Sequence, residues 1–143
     1  MMVMGTDFAL TGDYTWTAFI ASLTPFFLVS DLLLLNQFPD AEPDRSVGRR
    51  HYPITIGKRR SSLIYGAFLV LAHLTVVLGV VLGLLPRAAL IGLAGLALVV
   101  PTAIGAYRYA EDIEKLVPYL GLNVVINILT PVLVAVGLFL AGL

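Results

Sequence analysis

Long apolar stretches alternate with short polar ones along the chain. A helix that crosses a bilayer needs about 20 apolar residues, because each residue advances ~1.5 Å through roughly 30 Å of hydrocarbon. No stretch of this length shows the strict apolar–polar alternation typical of a strand. The pattern therefore predicts spanning helices over residues 17–36, 62–85, 88–107 and 118–142.

Composition places these helices in a membrane. The mean hydropathy is +0.94, and 13% of the residues are charged, against about a quarter in soluble domains. We therefore predict an all-α integral membrane protein in which residues 1–143 form a single transmembrane domain. A formal net charge of zero excludes a general nucleic-acid-binding protein, and the absence of cysteine excludes disulfides and thiolate chemistry.

Charge is concentrated in one segment, residues 36–60, which reads NQFPDAEPDRSVGRRHYPITIGKRR. It holds six of the nine Lys and Arg residues and three of the nine Asp and Glu residues, a balance of +3. Cytoplasmic loops of membrane proteins carry an excess of Lys and Arg. We therefore predict that residues 37–61 form a loop on the cytoplasmic side. This segment is either an ordinary solvated connector or a site for a charged ligand.

Three oxygen-bearing side chains, Asn36, Asp40 and Asp44, recur every four residues in this segment. On a helix, successive members of such a row lie about 40° apart on one face. Carboxylates held so close repel each other unless a cation binds them, and Mg²⁺ prefers hard oxygen ligands completed by phosphate and water. The row thus predicts Asp40 and Asp44 as metal ligands. Because Pro39 and Pro43 precede them, we expect a kinked helix end or a short helix.

Cations follow the row directly in the sequence. Carboxylates that hold Mg²⁺ beside several cations indicate a diphosphate that bridges to the metal and is clamped by guanidinium groups. The predicted diphosphate-binding residues are Asn36, Arg45, Arg49, Arg50 and Lys58.

The full string resembles the second aspartate-rich motif of the UbiA-type membrane prenyltransferases, N-x-x-x-D-x-x-x-D-x-x-x-G-[KR]-[RK]. Its NQFPD variant is most similar to the branch that prenylates 1,4-dihydroxy-2-naphthoate in menaquinone synthesis. In that family the motif lies on the cytoplasmic side after the sixth of nine helices. The resemblance therefore implies that about four helices of this chain correspond to the C-terminal half of a nine-helix bundle.

The resemblance also implies a reaction, the Mg²⁺-dependent transfer of a polyprenyl group from an allylic prenyl diphosphate to an aromatic or lipid acceptor. Asp40 and Asp44 match the family's catalytic, metal-binding aspartates, Asn36 matches the residue that opens the motif, and Arg49 with Arg50 would contact the diphosphate. Arg45 and Lys58 are secondary candidates.

The family's first motif, N-D-x-x-D-x-x-x-D, does not occur in the sequence. We therefore expect half an active site, with little turnover by the isolated chain. The chain is expected to be either a truncated product or a split subunit whose partner half carries the first motif. A homodimer that pairs two copies of the second motif is a further possibility.

Two other classes are considered. A phosphotransferase of phospholipid synthesis would need a D-G-x-x-A-R core, which the sequence lacks. A non-catalytic four-helix membrane scaffold or subunit explains the hydropathy equally well.

Four strongly polar side chains in the middle of the predicted spans need a partner. Asp31 is costly in lipid, so we expect it to face the bundle or to reach the headgroups. His73 is expected to hydrogen-bond to another helix rather than to act in catalysis. Asn123 and Asn127 share a helix face at i and i+4 and are also expected to bond between helices.

Overall fold

The computed structural model describes residues 2–142, and helices are the regular elements of this range. They follow one another as α1 (Met2–Thr11), α2 (Trp16–Ser46), α3 (Tyr52–Thr55), α4 (Lys58–Val81), a 3₁₀-helix (Arg87–Gly95), α5 (Leu96–Arg108) and α6 (Ile113–Leu140).

Within the described range, four helical segments are long and apolar enough to cross a membrane. All four predicted spans, and the all-α membrane fold, are thereby confirmed. The third span is not uniform, because it begins as the 3₁₀-helix and continues without interruption as α5. The four segments are Trp16–Ser46, Lys58–Val81, Arg87–Arg108 and Ile113–Leu140.

The first spanning helix continues beyond the apolar stretch that predicted it. α2 runs unbroken past Pro39 and Pro43, although neither can donate a backbone hydrogen bond. Phe38, on the opposite side of the helix from the acidic row, and Ala41, about 100° from Asp40, are buried and hold this end against the bundle. Most of the predicted loop at residues 37–61 is therefore helical, since it contains the end of α2, all of α3 and the start of α4.

Apolar side chains from all four spans form the main core between the helices. The outward faces expose apolar side chains as well, as expected where lipid surrounds the bundle. The largest fully buried apolar members of this core are Leu28, Leu35, Phe38, Tyr65, Leu69, Leu116 and Ile126.

Polar side chains connect the spans inside this core. Asp31 is buried and faces the bundle, where Nδ2 of Asn127 donates a hydrogen bond to its Oδ1 at 3.1 Å. The hydroxyl of Tyr65 donates to Oδ1 of Asn123 at 3.0 Å. The predicted bonding of Asn123 and Asn127 between helices is thus confirmed. In a bilayer each such bond contributes about 0.6 kcal/mol on average, so together they orient α2 and α4 against α6.

His73 does not make the predicted bond to another helix. Its Nδ1 donates to the carbonyl of Leu69 in its own helix at 2.9 Å, and its Nε2 has no hydrogen-bond partner within residues 2–142. Gly95, at the end of the 3₁₀-helix, faces this nitrogen. A Cβ built on Gly95 would lie 3.2 Å from Nε2. The predicted bond of His73 to another helix is therefore wrong, and the residue that faces Nε2 carries no side chain.

The charged segment at residues 36–60 and the C-terminal end of α5 lie at the same end of the bundle. The guanidinium of Arg59, in the first turn of α4, lies 4.8 Å from the ring centre of Tyr107, near the end of α5. Alternation of the spans requires this arrangement, and it places the turn at residues 109–112 at the end of the bundle where α2 ends.

Close packing brings the 3₁₀-helix against α6. A Cβ built on Gly137 would collide with the backbone carbonyl of Ala88. The same helix contains Gly121, around which nothing lies within 4 Å. The two glycines of α6 therefore differ in whether a backbone lies at contact distance.

We expect Gly137→Ala to lower the free energy of unfolding by about 1–3 kcal/mol, because rigid backbone must move to admit the methyl group. Gly121→Ala is the matched control and should be neutral or up to ~1 kcal/mol stabilising, through helix propensity alone. Unfolding in detergent micelles measures both variants. Equal effects would contradict the close approach at Gly137.

Candidate functional site

The predicted acidic row lies on one face at the C-terminal end of α2. Because the helix is unbroken, Asn36, Asp40 and Asp44 follow each other at about 40° and ~6 Å per step. Asn36 and Asp40 are exposed, whereas the side chain of Asp44 is 17% exposed. The structure thus brings the three oxygen-bearing side chains together as the spacing predicts.

The chain reverses immediately after this row. Gly48 has φ +79°, and its N–H donates to the carbonyl of Arg45 at 3.2 Å, while the N–H of Arg49 donates to the carbonyl of Asp44 at 3.0 Å. These paired bonds form a Schellman ending, which needs a residue in the left-handed region and so favours glycine. The glycine of the motif therefore turns the chain back toward Asp44.

The reversal places two side chains on the carboxylate of Asp44. Nη1 of Arg49 donates to Oδ1 at 3.0 Å, and Nε2 of His51 lies 3.2 Å from Oδ2. A carboxylate can only accept, so this ring nitrogen of His51 carries the proton. Each carboxylate oxygen has two lone pairs, and Asp44 therefore keeps acceptor positions for another ligand.

The other predicted cations are placed differently. Arg45 is directed away from the row and pairs with Glu42 at 3.5 Å, since adjacent residues on a helix diverge by about 100°. Lys58 begins α4 and makes no ion pair or hydrogen bond with the row in the range 2–142. Arg49 is thus the predicted cation that contacts the row.

Beside Asp44 lies an open groove that we call the His51 groove. Its volume is about 420 Å³, and both Arg50 and His51 line it. The spacing of residues in the sequence does not identify His51 as a site residue, because its contact with Asp44 depends on the chain reversal at Gly48. Its position shortly after a glycine that ends a helix is the one feature of the sequence that points to it. The groove is lined by Gln37, Arg50, His51, Tyr52, Thr55 and Ile56.

A second, apolar groove of about 540 Å³ lies between α1 and the deeper part of α2. We call it the α2 groove. Phe26, Val29 and Leu33 line it and lie within about 40° of Asp40 on the helical wheel. One outward face of α2 therefore carries the acidic row at its C-terminal end and the α2 groove further along the helix toward its N-terminus. The groove is lined by Met2, Val3, Ser22, Pro25, Phe26, Val29, Ser30 and Leu33.

The donor atoms of the row fit a hard divalent cation. Asp40 has no ion pair in the part of the chain that the structure describes, and Asp44 retains free lone pairs. No group of three or more His, Cys, Asp and Glu side chains converges on one point within residues 2–142. Mg²⁺ commonly takes one or two protein carboxylates and completes its shell with phosphate and water. Two aspartates are therefore enough protein ligands for one Mg²⁺ ion.

Comparison with known proteins places the site in a family context. A family model described as the UbiA prenyltransferase family matches residues 1–120. This range includes the acidic row, the turn at Gly48 and the first three spanning segments. No curated protein and no solved structure matches the chain significantly.

We expect Gly48→Ala to destabilise the protein by about 1–2 kcal/mol, the cost of a left-handed conformation for an L-residue. Nothing lies within 4 Å of a Cβ at this position, so the cost is in the backbone alone. Gly48→Asn should cost less, because asparagine visits this region more readily. Unfolding in detergent micelles measures the free energy of unfolding of the unmodified protein, Gly48→Ala and Gly48→Asn.

The matched control is Gly66→Ala in the middle of α4, where a Cβ also meets nothing within 4 Å but φ is not positive. This variant should be neutral or slightly more stable. A loss at Gly66 equal to that at Gly48 would refute the role of the left-handed turn.

Proposed function

The chain belongs to the UbiA prenyltransferase family, and on this premise we propose that it binds an allylic prenyl diphosphate through Mg²⁺ for transfer of the prenyl group to an aromatic or lipid acceptor. The observation that most supports this proposal is the single face of α2 that joins the acidic row to the α2 groove. A prenyl diphosphate has a matching arrangement, because its charged diphosphate head is joined to a long apolar tail.

The acidic row supplies the polar end of the proposed site. Asp40 and Asp44 would hold Mg²⁺, and Asn36 would contact the diphosphate. Bound Mg²⁺ neutralises the negative charge that develops on a departing diphosphate. Arg49 would contact the diphosphate, because its side chain reaches Asp44 and is still 71% exposed. Arg50 lies next to it on the same stretch.

Two cations contribute less in this proposal. Arg45 pairs with Glu42 and would have to leave it to reach the diphosphate. Lys58 lies at the start of α4 at the same end of the bundle, from where it adds positive charge without a contact to the row.

The α2 groove supplies the apolar end. Along the helix axis, Leu33 lies about 10 Å from Asp40 and Ser22 about 27 Å from it, at ~1.5 Å per residue. A prenyl tail that begins at the acidic row would therefore run along Leu33, Val29 and Phe26. Close packing of the tail against these side chains would contribute to its binding, since lipid supplies no hydrophobic driving force.

We propose that a partner half completes the site. Asn36 and Asp40 are exposed rather than enclosed, and the family's first aspartate-rich motif does not occur in the sequence. A partner that carries that motif would supply the remaining metal ligands. The isolated chain should therefore bind substrate with little turnover.

Two finer assignments belong to the same proposal. The excess of Lys and Arg after α2 supports a cytoplasmic position for this end of the bundle. The NQFPD variant of the motif supports 1,4-dihydroxy-2-naphthoate as the acceptor, and hence a role in menaquinone-type quinone synthesis.

We expect Asp40→Asn to abolish the Mg²⁺-dependent part of prenyl diphosphate binding by the purified chain in lipid nanodiscs. Glu42→Gln is the matched control, because Glu42 is an exposed carboxylate two residues away, on the opposite side of α2. Titration of farnesyl diphosphate with and without Mg²⁺ measures the effect. Binding without Mg²⁺ dependence, or an equal loss in both variants, would favour a non-catalytic scaffold.

We expect Leu33→Trp to weaken binding of geranylgeranyl diphosphate by about tenfold, since the indole fills the α2 groove and its steric overlap with the tail costs about 1–3 kcal/mol. Binding of the short dimethylallyl diphosphate should change little. Val70→Trp, at an exposed apolar position of α4, controls for the added indole. Equal losses for the long and the short diphosphate would show that the tail does not lie along α2.

A further inference from the structure

Arg59 and Tyr107 make a contact between helices that the proposed diphosphate site does not use. The guanidinium of Arg59, in the first turn of α4, lies 4.8 Å from the ring centre of Tyr107, near the end of α5. The main neighbours of α5 are α4 and α6, whereas the acidic row lies on α2. The contact therefore marks a seam between α4 and α5 that is separate from the row.

The guanidinium at this seam is available to an anion. Arg59 is exposed and makes no ion pair in the described part of the chain. The N–H donors of a guanidinium lie in its plane, so contact with an aromatic ring leaves donors for another group. Arg108, which follows Tyr107 directly, is also exposed and without an ion pair within residues 2–142. Two cations thus border the seam without a carboxylate partner in that range.

Apolar side chains continue the seam toward the middle of the membrane. Leu63 follows Arg59 by one turn of α4, and Ile104 precedes Tyr107 by one turn of α5, ~6 Å and ~4.5 Å further along the helix axes. Leu63 is 61% exposed and Ile104 is 60% exposed. Tyrosine is typical of the level between the headgroups and the hydrocarbon. The seam therefore presents a cation, an interfacial ring and apolar side chains in the order in which a phospholipid presents its phosphate, glycerol and acyl chains.

We propose that the seam between α4 and α5 binds an anionic phospholipid, with the headgroup phosphate on Arg59 and an acyl chain along Leu63 and Ile104. Charge complementarity supports this occupant, because an anionic lipid brings a net negative charge to two unpaired cations and a zwitterionic lipid brings none. Basic pockets between spanning helices are sites for anionic headgroups in other membrane proteins. Tyr107 positions the guanidinium of Arg59, and Arg108 adds positive charge beside the phosphate.

The test is native mass spectrometry of the whole chain released from detergent micelles, which counts the lipids that each molecule binds. The probes are dioctanoyl phosphatidylglycerol, dioctanoyl phosphatidylcholine and soluble glycerol 3-phosphate. We expect phosphatidylglycerol to bind at least about fivefold more tightly than phosphatidylcholine, the effect of a single cation near an anionic lipid. Glycerol 3-phosphate carries the headgroup charge without acyl chains and should not displace the lipid.

Variants assign this preference to residues. Arg59→Gln should weaken phosphatidylglycerol binding by about fivefold and leave phosphatidylcholine binding unchanged. Tyr107→Leu should reduce the same preference, because the guanidinium loses the ring that holds it, whereas Tyr107→Phe should retain it. Arg87→Gln is the matched control, because Arg87 is an exposed cation at the opposite end of the same span. Unchanged unfolding in lipid-free micelles shows that each variant is folded.

Four results would overturn the lipid site. Equal affinities for the two lipids would show that the headgroup is not selected, and equal losses in Arg59→Gln and Arg87→Gln would show attraction by overall charge. Displacement by glycerol 3-phosphate would show an anion site that needs no lipid. Displacement by farnesyl diphosphate with Mg²⁺ would assign Arg59 to the diphosphate site instead. The lipid site does not depend on the proposed function, so Asp40→Asn should leave phosphatidylglycerol binding unchanged.

Discussion

The site depends on the continuity of α2 from the core of the bundle to its charged end. A single helix carries its side-chain register across both environments, so an apolar groove and an acidic row lie on one face without any loop between them. Two prolines stand in the last turns and weaken the local hydrogen bonding. The burial of Phe38 and Ala41 against the bundle compensates for them. Tertiary packing therefore maintains the register that the chemistry requires.

Polar contacts hold this helix in place within the bundle. Association of helices in lipid lacks a hydrophobic driving force, so close packing and hydrogen bonds between helices decide their orientation. Asp31 accepts from Asn127, and the hydroxyls of Thr24 and Thr75 lie 2.8 Å apart. Both contacts involve the face of α2 that points into the bundle. They leave the face with the acidic row free to meet a ligand or a partner.

The two aspartates have unequal surroundings. Asp44 is held by Arg49 and His51, and its orientation is set before any ligand arrives. Asp40 is exposed and has no ion pair in the described residues. Preorganised groups need little rearrangement when charge develops on a substrate. One carboxylate is thus fixed and the other is available, and the guanidinium of Arg49 reduces the repulsion between them.

The sequence alone determined the four spans, the face shared by Asn36, Asp40 and Asp44, and the family resemblance, because hydropathy and residue spacing act over a few turns of helix. The sequence also places a glycine, Gly48, shortly after this row. Which cation contacts Asp44, and that His51 joins it, were decided by the direction of the chain after that glycine.

Contacts between distant residues were decided only by the tertiary structure. Asp31 and Asn127 are 96 residues apart in the chain, and spacing says nothing about such a pair. The bond expected for His73 fails because Gly95, on another element, faces it. Local patterns determine what each helix is and which face is polar, whereas packing of one helix against another decides which polar groups meet.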